Sequence, residues 1–174
     1  YWFDENPHVV REGGFQYRWS INVWSRIIGN QIGPHFFPQR LTGRIYRQLS
    51  ENALPVLLAN MPLIIRVQLI YQYDGAPAHF CRKVLEVLNA QFLDRWMGRG
   101  GRIIWPAWSP DVNVLDFFVW GHTKSLIEHQ RTKNEVLEAI VAAFDTITAD
   151  MAHRATRNIV HRSELCIRER GRHF

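Results

Sequence analysis

The sequence contains only two cysteines, Cys81 and Cys166, and no C-x-x-C pair. That excludes a disulfide framework and a cysteine-built structural zinc site, and reads both as half-buried thiols in a reducing compartment. Long apolar runs are missing too. The best stretch, around Leu63 to Tyr71, is interrupted by Arg66 and falls short of the roughly 18 residues a membrane span requires. No secretory leader pattern opens the chain. It begins at Tyr1 rather than Met, which sets the expectation that it is a piece of something longer. The histidines show no H-x-x-x-H spacing, and neither a G-x-S-x-G elbow nor a phosphate loop occurs. Hydrolase and nucleotide-binding readings of those kinds have no footing. Internal repeats, low-complexity segments and a domain boundary are likewise absent.

What is present fits one ordinary α/β domain. At 174 residues, with 47% hydrophobic and 21% charged side chains, the chain can bury a single substantial core. Lysine and arginine exceed the acids by 21 to 16, for a net charge of +5, which makes a polyanionic partner plausible without identifying it.

Along the chain, the first fourteen residues are turn-rich. Phe15 to Ile28 alternates as a strand, Gly29-Asn30 turns, and Ile32 to Phe37 returns antiparallel until Pro38. Thr42 is a fair N-cap for a helix reaching about Asn60, with a kink or break at Pro55. Ile64 to Tyr73 alternates as a mostly buried strand ending at Asp74, and Gly75-Ala76-Pro77 turns the chain. A helix is then predicted from about Ala78 to Met97, with Val84, Leu85, Leu88, Phe92 and Trp96 on one face, closed by Gly98 to Gly101. Arg102 to Trp105 reads as a short strand. Helices follow from about Asn113 to Glu128, and from Asn134 to about Ile147 or on to Val160, before an arginine-rich tail. This order predicts a mixed sheet, an antiparallel meander followed by parallel strands, flanked by helices.

Two acids stand in apolar settings. Asp74 lies where a buried strand meets its turn, the place where α/β sheets present ligand-binding groups. Asp116 lies in the first turn of its helix among Leu115, Phe117, Phe118, Val119 and Trp120. An ionised carboxylate in such surroundings must be paired, hydrogen-bonded or metal-bound. Converging, the two make a hard-oxygen site for Mg2+ or Mn2+. The plainer roles are a cap on the following helix for Asp74 and a dipole-compensating acid for Asp116. Asp111 competes with Asp116 but suits a turn, because Ser-Pro-Asp is loop chemistry. His79, five residues after Asp74, is placed either to reach the same cleft or to serve structure alone.

Several segments together resemble the catalytic domain of mariner-like transposases, in particular the insect transposable-element branch. They are Asp-Gly-Ala-Pro-Ala-His (74 to 79), Trp-Met-Gly-Arg-Gly-Gly (96 to 101), Trp-Pro-x-x-Ser-Pro-Asp (105 to 111) and Leu-Asp-Phe-Phe-x-Trp-Gly (115 to 121). Tyr-Trp-x-Asp-Glu-Asn-Pro-His (1 to 8), Ile-Gly-Pro-His-Phe-Phe (32 to 37) and the Cys166 to Phe174 tail extend it over essentially the whole chain. The resemblance implies a ribonuclease H-like fold in which three acids hold two Mg2+ (or Mn2+) ions. It also implies cleavage and strand transfer at transposon ends, DNA as partner, a homodimer, no membrane, and the nucleus as location. The family's second and third acids fall on Asp74 and Asp116, which it therefore makes catalytic and metal-binding. Its first acid belongs to an opening strand upstream of Tyr1, and Asp4 does not replace it. The chain is thus expected to be an inactive fragment without the family's helix-turn-helix. Val114 stands where the family has proline, which loosens the start of that helix. Arg95, Arg99, Arg102 and Lys124 are the candidate DNA contacts. The competing reading is a domesticated, non-catalytic nucleic-acid-binding or interaction module.

Overall fold

The computed structural model describes residues 20–29, 31–38, 40–105 and 109–171. The turn-rich opening, Asp4, the first residues of the opening strand, and Arg172 lie outside them. Two strands, β1 (Asn22–Ile28) and β2 (Gln31–Phe37), pair antiparallel in full register from Asn22 opposite Phe37 to Ile28 opposite Gln31. Gly29 makes the turn with φ +56°, a left-handed conformation that glycine adopts without strain. Strand alternation sends Trp24 and Phe37 to one side and Val23, Ile27 and Phe36 to the other. Two cores result. The first gathers Tyr46, Leu49, Leu54, Tyr71, Tyr73, Val84, Leu88, Phe92 and Trp96, and the second centres on Val119, Ile140, Phe144 and Ile147.

Thr42 caps α1 (Gly43–Gln48) by accepting the Ile45 N–H, as expected. The helical run continues to α2 (Leu54–Ala59) through a π-turn, Leu49–Ala53, rather than breaking at Pro55. Pro55 has no N–H to donate, and the wider turn just before it absorbs the missing bond.

The sheet departs from expectation. Ile64 to Tyr73 is not one strand: Leu63–Gln68 forms a short helix, α3, and only Tyr71–Gln72 pairs as a strand, β3. A lone strand would leave its main-chain groups unpaired on the side facing β1, whereas a helix pairs them internally. Pro62 starts α3, its carbonyl accepting the Ile65 and Arg66 N–H groups. The apolar side chains consequently face outward, with Leu63 65% and Ile64 61% exposed.

The helix predicted over Ala78 to Met97 shortens to α4 (Arg82–Gln91). Tight turns over Ala76 to Phe80 delay its start, and Asp94, in the left-handed region at φ +56°, turns the chain out of it. Trp96–Met97 then becomes β4, parallel to β3. Gly98 to Gly101 therefore follows a strand instead of capping a helix. A Cβ on Gly98 would lie 2.4 Å from the Tyr73 ring, so glycine is required there. The strand predicted over Arg102 to Trp105 reduces to one bridge, Ile103 to Met97. Among the described residues the result is two separate two-stranded sheets, one antiparallel and one parallel.

The last third is helical. A π-turn (Leu115–Trp120) runs into α5 (Gly121–Ile127), and α6 (Lys133–Asp145) opens with a Thr132/Glu135 capping box. The run does not continue through to Val160. Thr148 caps a new helix, α7 (Ala149–Arg168), which absorbs much of the expected tail. Among the described residues, no helix is long and apolar enough to cross a membrane.

Candidate metal-binding site

A cleft of about 690 Å³ lies between the two sheets. One wall is the edge of β1 not used by β2, from Val23 to Gly29, and the other is Leu69 to Asp74, the edge of β3 not used by β4. Its floor includes Tyr46 and Leu54, and its open end holds Asp74, His79, Asn113 and Asp116. Two acids remote in sequence therefore meet at one mouth.

Asp74 is half exposed and held on one side only. Its Oδ1 accepts both the Ala76 N–H at 3.0 Å and the His79 Nδ1–H at 2.5 Å. Burial pushes its carboxyl up, but those bonds outweigh it and hold Asp74 below the ordinary aspartate value. Asp116 is more loosely placed. Its Oδ2 accepts from Asn113 Nδ2 at 2.8 Å, while Asn113 Oδ1 takes the Leu115 N–H and so fixes the head of the π-turn. Its carboxyl is raised, by burial first and then by the negative charge of Asp74, against smaller opposing effects of Asn113 and Lys124.

That mutual repulsion is what a shared cation would relieve. Asp74 Oδ2 accepts no protein hydrogen bond among those described, so the donor set offers hard oxygens suited to Mg2+ or Mn2+. The set is partial, because among the described residues no group of three His, Cys, Asp or Glu is arranged to hold a metal ion. Asp111 is engaged elsewhere: Arg162 Nε donates to its carbonyl, and the guanidinium lies 3.7 Å from its carboxylate.

The candidate DNA contacts are scattered in role. Arg95 donates to the carbonyls of Arg66 and Leu69, both at 3.1 Å, and thereby closes the C-terminal end of α3. Arg102 pairs with Asp94 at 3.2 Å, and Arg99 lies over the Phe80 ring at 4.5 Å. Lys124 is exposed on α5, near enough to influence Asp116. Sequence reasoning missed Asn113, although an asparagine three residues before an acid at a helix start is a legible capping signal. It also missed Tyr46, whose part in the site depends wholly on tertiary packing.

No family model matches the chain, and no curated protein does. Solved structures do. The Mos1 transposase catalytic domain with raltegravir and Mg aligns with a TM-score of 0.72 at 21% identity, over 88% of this chain and 76% of that one. The same domain with raltegravir and Mn gives 0.69 at 17% identity, over 88% and 82%. The pre-cleavage Mos1 transpososome gives 0.73 at 17% identity, covering 99% of this chain, which spans only 51% of the transpososome chain. The fold is therefore the α/β, ribonuclease H-like fold of the mariner transposase catalytic domain.

Proposed function

We propose that this chain is the catalytic region of a mariner-like DNA transposase, acting in the nucleus as a homodimer on transposon ends and target DNA. The observation that carries this reading is the meeting of Asp74 and Asp116 at the mouth of one cleft within that fold. Asp74, through Oδ2, and Asp116 would hold Mg2+ or Mn2+, whose chemistry at a phosphodiester is to activate water and stabilise the leaving oxygen. His79 and Ala76 fix the Asp74 side of the site, and Asn113 fixes the Asp116 side. The remaining carboxylate, the family's first, would come from an extended segment lying along the cleft, whose two walls offer strand edges without a partner among the described residues. Two acids alone bind metal weakly, so a site made only of Asp74 and Asp116 is expected to leave this chain with little or no cleavage activity.

A plasmid-nicking assay with Mg2+ or Mn2+ tests this, run on this chain and on its in-frame upstream extension. The expected result is no nicking by the chain, nicking by the extended protein, and loss of that activity in Asp74→Asn. Nicking by the 174-residue chain, abolished by Asp74→Ala, would overturn the inactivity. Salt-dependent DNA binding by both proteins, with no metal requirement and no nicking, would replace the enzyme with a domesticated binding module.

A further inference from the structure

His79 is the one buried histidine among the described residues, and it bonds Asp74 from the core side of the site. Its environment is unusually constraining. The imidazole stacks on Tyr46 with ring centroids 4.0 Å apart and meets Tyr73 edge-on at 6.3 Å. Tyr46 is itself immobilised: it is fully buried, its hydroxyl lies 2.7 Å from that of Tyr71, and its carbonyl accepts from Ser50. Trp24, on β1, packs against the same core. The ring plane of His79 is thus set by the first core and not by solvent.

The two ring nitrogens have opposite surroundings. A carboxylate can only accept, so Nδ1 carries the proton that Asp74 Oδ1 receives. Nε2 is buried without a hydrogen-bond partner. A merely structural histidine would ordinarily satisfy both nitrogens, whereas this one directs its single bond at the metal-side acid. Because the Ala76 N–H bonds the same oxygen, Oδ1 is doubly occupied, while Oδ2, on a residue that lines the cleft, accepts no hydrogen bond among the described residues.

We propose that His79 is a positioning residue that fixes the rotamer of Asp74 and presents Oδ2 alone to a divalent cation. This rests on the metal reading above and adds to it a cause for the geometry of one ligand. Outer partners of this kind typically change metal affinity by about ten- to a hundredfold.

Three substitutions separate positioning from bulk. Asn places its amide nitrogen where Nδ1 stands, Gln places it where Nε2 stands, and Phe fills the stack without a donor. With Mn2+ as the probe, His79→Asn should stay within about threefold of the parent chain. His79→Gln and His79→Phe should lose roughly ten- to a hundredfold, each with an unchanged far-ultraviolet spectrum. Equal affinity in His79→Phe, or no advantage of Asn over Gln, overturns the assignment. If the parent chain binds no Mn2+ above the level of Asp74→Asn, the metal reading fails, and the positioning role is then decided by NMR. Three-bond couplings should report one Asp74 rotamer in the parent and in His79→Asn, and averaging in His79→Gln and His79→Phe. Averaging in the parent, or a single rotamer in all four, overturns it.

Discussion

The turn carrying Asp74 and the π-turn carrying Asp116 serve one site by opposite means. Asp74 is braced from behind: a buried ring, itself stacked on a buried tyrosine, bonds one of its oxygens. Asp116 is braced only along the chain, by Asn113 three residues earlier, and lies on an exposed helical surface. One carboxylate is lowered by its partners, and the other is raised by burial and by the first. The contrast gives the proposed cation site unequal halves, a carboxylate fixed in position and a looser one free to adjust to what is bound.

The largest effect tests whether the halves are equally necessary. Asp74→Asn and Asp116→Asn should each weaken Mn2+ binding by at least about a hundredfold, more than any partner substitution. Titration calorimetry showing loss in only one would break the pairing. Next, Asn113→Ala should cost about 1 kcal/mol in urea unfolding, because it removes the bond to the Leu115 N–H as well as the one to Asp116. Without metal at pH 7, Asp74→Asn should lower the melting temperature and Asp116→Asn should raise it, each by an amount worth under about 1 kcal/mol. Shifts of the same sign would sink the comparison.

The smallest effect is its pH dependence. A lowered carboxyl contributes stability above the ordinary value of 3.8 and loses it as pH falls through its own lower value. A raised carboxyl opposes folding above its own value, and that penalty fades as pH falls to 3.8. The two variants should therefore converge in stability on acidification, which thermal melts between about pH 6 and pH 3 would follow.

Legibility in the sequence followed the range of the interactions. The β1–β2 hairpin, the Thr42 cap and the approximate start of α6 were readable because alternation, turn residues and caps act over a few positions. Ile64 to Tyr73 carries an equally clear strand pattern, yet most of it is helical or irregular, because a strand needs a neighbour that periodicity cannot supply. Val84, Leu85, Leu88, Phe92 and Trp96 keep helical spacing and all reach the first core, but the backbone changes from helix to strand on the way. The two acids could be named from their apolar settings. What orients them could not, since Tyr46 stands far from His79 in sequence and joins it only through packing.

The outward face of α3 has a consequence for handling the protein in solution. Leu63, Ile64 and Val67 on α3, with Ile70 just beyond it, form an exposed apolar run with no proline inside it, beside a strand edge that has no partner among the described residues. Such a segment nucleates cross-β association between molecules. Arg66 is the charge that interrupts the run and acts as its gatekeeper, and Arg95 holds the Arg66 carbonyl in the helical form. Neutralising Arg66 is therefore expected to shorten the time the protein stays monodisperse at high concentration, which light scattering would follow.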